Sequence, residues 1–199
     1  CTLESFQLKN GESICDESLI SGRAYTISEG ALGGWDLQSI TVAGTDPANY
    51  HITGRSITIT PQPGESPMVT FTNAKRGSIV VDKVASPGGS VQEFEFKPSY
   101  GEPFKLSDAS DPKDSGPLLP GTYSIIETAV PDWDLTEITV KGIESEPVVD
   151  LVTGTISFYL ASGETASVTS TNGNKQADIS GIVWDDANGN CILDKDEEK

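Results

Sequence analysis

The sequence predicts an all-β protein built from tandem β-sandwich modules. Three observations lead there: strand-like patterning along the chain, Pro/Gly turn signals between those strands, and a long stretch that occurs twice. Ser56-Ile57-Thr58-Ile59-Thr60, Ser78-Ile79-Val80-Val81-Asp82-Lys83, Glu93-Phe94-Glu95-Phe96-Lys97 and Thr155-Ile156-Ser157-Phe158-Tyr159-Leu160 alternate or are β-branched and aromatic, the composition that suits a pleated, half-buried surface. Pro63-Gly64, Pro87-Gly88-Gly89 and Pro120-Gly121 punctuate them at the intervals of an immunoglobulin-like sandwich. No segment carries a helical period.

The repeat defines the modules. Ala24-Tyr25-Thr26-Ile27-Ser28-Glu29, Trp35-Asp36-Leu37 and Ile40-Thr41-Val42-Ala43-Gly44 recur as Thr122-Tyr123-Ser124-Ile125-Ile126-Glu127, Trp133-Asp134-Leu135 and Ile138-Thr139-Val140-Lys141-Gly142, all at an offset of 98 positions. With small shifts, Phe6-Gln7-Leu8-Lys9 pairs with Phe94-Glu95-Phe96-Lys97, and Val69-Thr70-Phe71-Thr72-Asn73 with Val168-Thr169-Ser170-Thr171-Asn172. A polar stretch of copy two, Ser107 to Pro120, absorbs one shift and reads as an inserted surface loop. Trp35 and Trp133 hold the same place in each copy and read as packing residues.

Copy two opens with Arg76-Gly77-Ser78-Ile79-Val80-Val81-Asp82-Lys83, a strand with no counterpart in copy one. Residues 1–75 therefore form a module lacking its first strand, 76–175 a complete module, and 176–199 the opening of a third. A sheet edge left unpaired is a template for strand addition. Upstream sequence of the same chain is the expected source of the missing strand, and a neighbouring chain the alternative.

Charge and composition exclude several functions. Thirteen Lys and Arg stand against 30 Asp and Glu, a net charge of −17, so phosphate backbones and anionic membrane surfaces are repelled and divalent cations attracted. One histidine, His51, offers no catalytic arrangement. No apolar run is long enough to span a bilayer, and no export signal or anchor lies in the fragment. Three cysteines suit neither a disulfide-rich scaffold nor a zinc site. Cys1 and Cys15 flank the first strand of copy one, their pairing stays open, and Cys191 is then the odd thiol.

At Lys83, at Pro120 through Trp133 (Pro-Gly-Thr-Tyr-x-x-x-Glu-x-x-x-Pro-x-Trp) and at Asn172 the chain resembles the prealbumin-like, collagen-adhesin B-type (CnaB-like) repeats of microbial surface proteins. Copy one matches from the second strand onward, with Arg23-Ala24 in place of Gly121-Thr122 and Gly34 near the place of Pro131. In many such repeats Lys, Glu and Asn form a spontaneous isopeptide crosslink, and the resemblance puts Lys83, Glu127 and Asn172 in those roles. The chemistry needs those types: a lysine amine must be neutral to attack, burial favours that form, and a buried carboxyl relays the proton as Asn loses ammonia. The alternative is an ion pair between Lys83 and Glu127, with Asn172 a turn residue before Gly173.

Asp178 to Trp184 resembles the start of a serine-aspartate-repeat B-type domain. After it, Asp186, Asn188, Asn190, Ile192, Asp194 and Glu197 fall on positions 1, 3, 5, 7, 9 and 12 of an EF-hand-type loop, so Ca2+ is the expected cofactor. Position six is Cys191 rather than glycine, which costs about 1 kcal/mol at the positive φ required there. Together these readings point to an extracellular, non-enzymatic stalk or wall element of a microbial cell surface. Its partners would be further modules of its own chain or neighbouring copies. An adhesive module with the Ser107 to Pro120 loop as binding surface is the alternative.

Overall fold

A computed structural model describes residues 5–175 and Gly189. The strands are β1 (Tyr25–Ser28), β2 (Trp35–Ala43), β3 (Tyr50–Thr53), β4 (Ser56–Ile59), β5 (Met68–Lys75), β6 (Ser78–Ser86), β7 (Phe94–Pro98), β8 (Phe104–Leu106), β9 (Lys113–Asp114), β10 (Gly121–Glu127), β11 (Trp133–Lys141), β12 (Val148–Asp150), β13 (Thr155–Leu160) and β14 (Thr165–Asn174). The 3-10 turn Pro47–Asn49, with Pro47 in its first turn and the Asp46 side chain capping it, is the one helical element among the described residues. The chain is all-β, as its patterning predicts. No helix among the described residues is long and apolar enough to cross a membrane.

Sheet membership divides along the chain. Residues 25–75 supply a three-stranded sheet, β1-β4-β3, and a two-stranded one, β2-β5; residues 78–174 supply a five-stranded sheet, β12-β13-β10-β7-β8, and a four-stranded one, β11-β14-β6-β9. The repeated sequences repeat in structure down to their irregularities. Leu37 faces Asn73 and Leu135 faces Asn172, and in each ladder a bulge follows at once, between Leu37 and Ser39 and between Leu135 and Glu137. A bulge bends the strand locally and resets its facing, so its recurrence fixes Asn73 and Asn172 as equivalent positions.

Copy two buries a full core. Period-two alternation sends Ile79, Val81, Lys83 and Ala85 of β6 inward, against Phe94, Phe96, Ile125, Ile156, Phe158, Leu160, Ala166 and Val168. β6 runs parallel to β14, Ser78 beside Thr165 through Ser86 beside Gly173, while the other ladders are antiparallel. First and last strands of the module thus lie side by side.

The stretch Ser107 to Pro120 departs from its expected form. Lys113 and Asp114 pair with Val81 and Val80, Leu118 bridges Gly77, and Ser115 Oγ accepts from the Ile79 amide at 2.9 Å. It is an edge cover rather than a free surface loop. Without it β6 would present a row of unpaired backbone groups to solvent, the usual hazard of an edge strand.

Copy one is barer. Tyr25, Ile57, Ile59, Pro61 and Ala74 are its buried apolar residues among those described. Residues 5–24 contain no strand, so the expected pairing of Phe6 to Lys9 as a counterpart of β7 is not formed; Phe6 and Leu8 are exposed. The physical reason lies in copy two, where the β7 phenylalanines are buried in a core that β6 helps to build. With no equivalent of β6 among the described residues, Phe6 and Leu8 have no comparable core to enter. Trp35, read as a packing residue, is 40% exposed for the same reason, whereas Trp133 packs edge-on against Phe94 at 5.4 Å between centroids. Cys15 is exposed and free; Cys1, Cys191 and the calcium-type loop, apart from Gly189, lie outside the described residues.

Candidate functional site

β6, β10 and β14 bring Lys83, Glu127 and Asn172 into one interior site, 2%, 5% and 2% exposed. Lys83 takes a core position by strand alternation: its neighbours on the same face, Val81 and Ala85, are apolar. Asn172 is a strand residue rather than part of a turn, flanked by Leu135 on one side and Ala85 on the other. The parallel register sets Lys83 beside Ser170, two residues before Asn172.

All three lysine donors are used. Nζ donates to Asn172 Oδ1 at 2.7 Å, to the Val84 carbonyl at 2.8 Å and to the Ser170 carbonyl at 3.1 Å, and it lies 4.3 Å from the centre of the Phe94 ring. Because a carbonyl bond is about 1.2 Å long, the amine nitrogen is no more than about 4 Å from Asn172 Cγ. At most about 1 Å separates that from a near-attack distance of about 3–3.5 Å. The alternative arrangement, an ion pair with Glu127, is not formed: these contacts take the amine, and the Glu127 carboxylate accepts a hydrogen bond from Ser170 Oγ.

Burial lowers the Lys83 amine from its ordinary 10.5, against the opposing pull of Glu127, Asp108 and Asp82. A lysine shifted this way reaches its neutral, nucleophilic form more readily. Asp108 in turn is held below its usual range by the Ala85 and Gly89 amides. Sequence reasoning missed Ser170 and Phe94. Their strand alternation with Asn172 and Phe96 is legible, yet nothing in a serine or phenylalanine alone announces contact with a buried amine.

A pH signature follows. With Lys83 as a free amine, the state expected of Glu127→Ala, its folded-state pKa stays below the unfolded value, because burial persists while the first of the opposing charges is gone. Between the two pKa values the unfolded chain binds more protons, so stability rises with pH until about the ordinary lysine value and then levels. If Lys83 is an amide in the wild type it cannot titrate and that rise is absent. Tyr100, pushed up to about 12 by burial, is common to both proteins and cancels in their difference. Denaturant midpoints from neutral to alkaline pH, compared between the two, measure the effect.

Copy one carries two of the three groups. Glu29 accepts from Asn73 Nδ2 and pairs with Arg55 Nη2 at 2.7 Å. The lysine has no counterpart there among the described residues. No group of three or more His, Cys, Asp and Glu among the described residues is placed to hold a metal ion.

No protein-family profile matches the chain, and no curated protein matches it. Among solved structures, two crystal forms of a bacterial adhesin from Mobiluncus mulieris containing intramolecular disulfide, isopeptide and ester bond cross-links overlap 65% of this chain, at 13% identity and a TM-score of 0.35. The chain spans only 56% and 55% of their length. An overlap that loose assigns no family.

Proposed function

We propose that the chain is a structural stalk or wall element of a microbial cell-surface protein, non-enzymatic and extracellular, locked by an isopeptide bond between Lys83 and Asn172. The observation that carries this reading is the buried contact of Lys83 Nζ with Asn172 Oδ1 at 2.7 Å beside Glu127. A neutral Nζ attacks Asn172 Cγ. The Nζ–Cγ bond forms, the Cγ–Nδ2 bond breaks, and one proton passes from Nζ through Glu127 to the departing nitrogen, which leaves as ammonia. Water exclusion by Phe94 and the surrounding core favours the neutral amine.

Such a bond joins the parallel first and last strands of the module. In a stalk, force applied between the ends of residues 76–175 then runs from β6 straight into β14 and never reaches the chain between. Single-molecule pulling tests this: the wild type is expected to release no length from the segment between Lys83 and Asn172, whereas Glu127→Ala releases it. Equal extension in both proteins contradicts the reading. The pairing of Lys113 and Asp114 with β6 also favours a stalk over an adhesive module, since the loop assigned to ligand binding serves as an edge cover. Calcium binding by Asp186, Asn188, Asn190, Ile192, Asp194 and Glu197 belongs to the same proposal, as a rigidifying clamp after the second module, and rests on their spacing.

A further inference from the structure

Among the described residues, Asn73 Oδ1 is the one buried side-chain oxygen or nitrogen that lacks a hydrogen-bond partner. Its equivalent in copy two, Asn172 Oδ1, accepts from Lys83 Nζ. An orphaned buried acceptor costs free energy that a donor would recover. The donor in copy two arrives on β6, which pairs with the edge of β14 away from β11. On β5 that same edge, away from β2, carries no strand of the described residues. The inward face of β5 bears the mark of the vacancy: Val69, Phe71 and Asn73 are half-exposed, where Val168, Ser170 and Asn172 of β14 are buried.

We propose that this edge of β5 is a docking seat for a separate lysine-bearing β-strand of the β6 pattern, apolar at alternate positions, running parallel to β5 with its ammonium received by Asn73 Oδ1. Backbone ladder bonds supply affinity, and the orphaned oxygen supplies the preference for lysine at one register position. The chemistry around it is suited to recognition rather than to bond formation. Phe71 stands where copy two has Ser170, and Arg55, which has Gly154 as its counterpart, already pairs with Glu29. The inference uses the strand arrangement of copy two but requires no covalent bond there. Docking would also give Phe6 and Leu8 a core to enter along the free edge of β1, as Phe94 and Phe96 enter beside β10.

The test uses the whole chain and a synthetic peptide spanning Arg76 to Ser86, which carries the β6 pattern. In titration calorimetry the peptide is expected to bind, and the same peptide with Lys83→Met to bind at least tenfold more weakly. With Asn73→Leu in the protein, that preference should vanish. Because the two peptides are compared on the wild-type chain, a misfolded Asn73→Leu variant does not remove the decision. No binding, equal affinity for both peptides, or a chain already dimeric through exchange of its own β6 overturns the proposal. The intact mass of the same preparation reports the Lys83–Asn172 bond separately: an absent bond with lysine-selective capture sinks the crosslink alone, and a present bond without capture sinks the docking seat alone.

Discussion

Replacing Asn172 with Ala is expected to lower the unfolding free energy of residues 76–175 by about 5 kcal/mol, the largest single effect in the chain. The bond would close a loop between residues 89 apart in sequence, and the chain-entropy cost it removes from the unfolded state is about 4–5 kcal/mol for a loop of that length. The substitution also leaves Lys83 a buried free amine with two acceptors, the Val84 and Ser170 carbonyls, for its donors, which adds to the loss. For a module of this size the melting temperature should fall by on the order of 20 °C or more. Denaturant or calorimetric unfolding of wild type against variant measures it. A fall of about 1 kcal/mol would mean that Asn172 contributes a hydrogen bond and no crosslink.

Phe94→Ala ranks second, with an expected loss of about 3–5 kcal/mol, because the ring is fully buried and meets both Trp133 and the lysine amine. Unlike Asn172→Ala, this change leaves the three reacting groups in place while admitting water to Nζ. The amine then moves back toward its ordinary pKa, and bond formation slows. The combined outcome is a destabilised protein in which freshly refolded material carries a mixture of linked and unlinked mass. A variant that links as fast as wild type would show that Phe94 packs the core without tuning the amine.

Much of this was legible in the sequence because the repeat supplied two independent views of one module. The equivalence of Asn73 and Asn172 follows from aligning Val69 to Asn73 with Val168 to Asn172, and the ladders place both beside the same bulge. β13 falls on Thr155 to Leu160, the bounds its alternation predicts. What escaped depends on partners distant in sequence. Phe6 to Lys9 has the alternation of β7, yet a strand forms only where an edge and a core await it, and pattern alone does not report whether they exist. Ser107 to Pro120 looks like a loop by composition, and it becomes an edge cover because β6 needs one. Trp35 and Trp133 are equivalent in sequence and unequal in burial, since only one of them finds a phenylalanine. The turn reading of Asn172 rested on the adjacent Gly173; β14 continues past it because the parallel register with β6 runs through that glycine to Ser86.

Intact-mass spectrometry of the denatured full chain decides whether Lys83 and Asn172 are joined. The wild type is expected to weigh one ammonia less than its sequence, with a branched peptide joining the Lys83 and Asn172 segments after digestion, while Glu127→Ala returns the full sequence mass with the fold largely retained. A folded wild-type chain at its full sequence mass would rule the crosslink out and leave Lys83, Glu127 and Asn172 as hydrogen-bonded core residues.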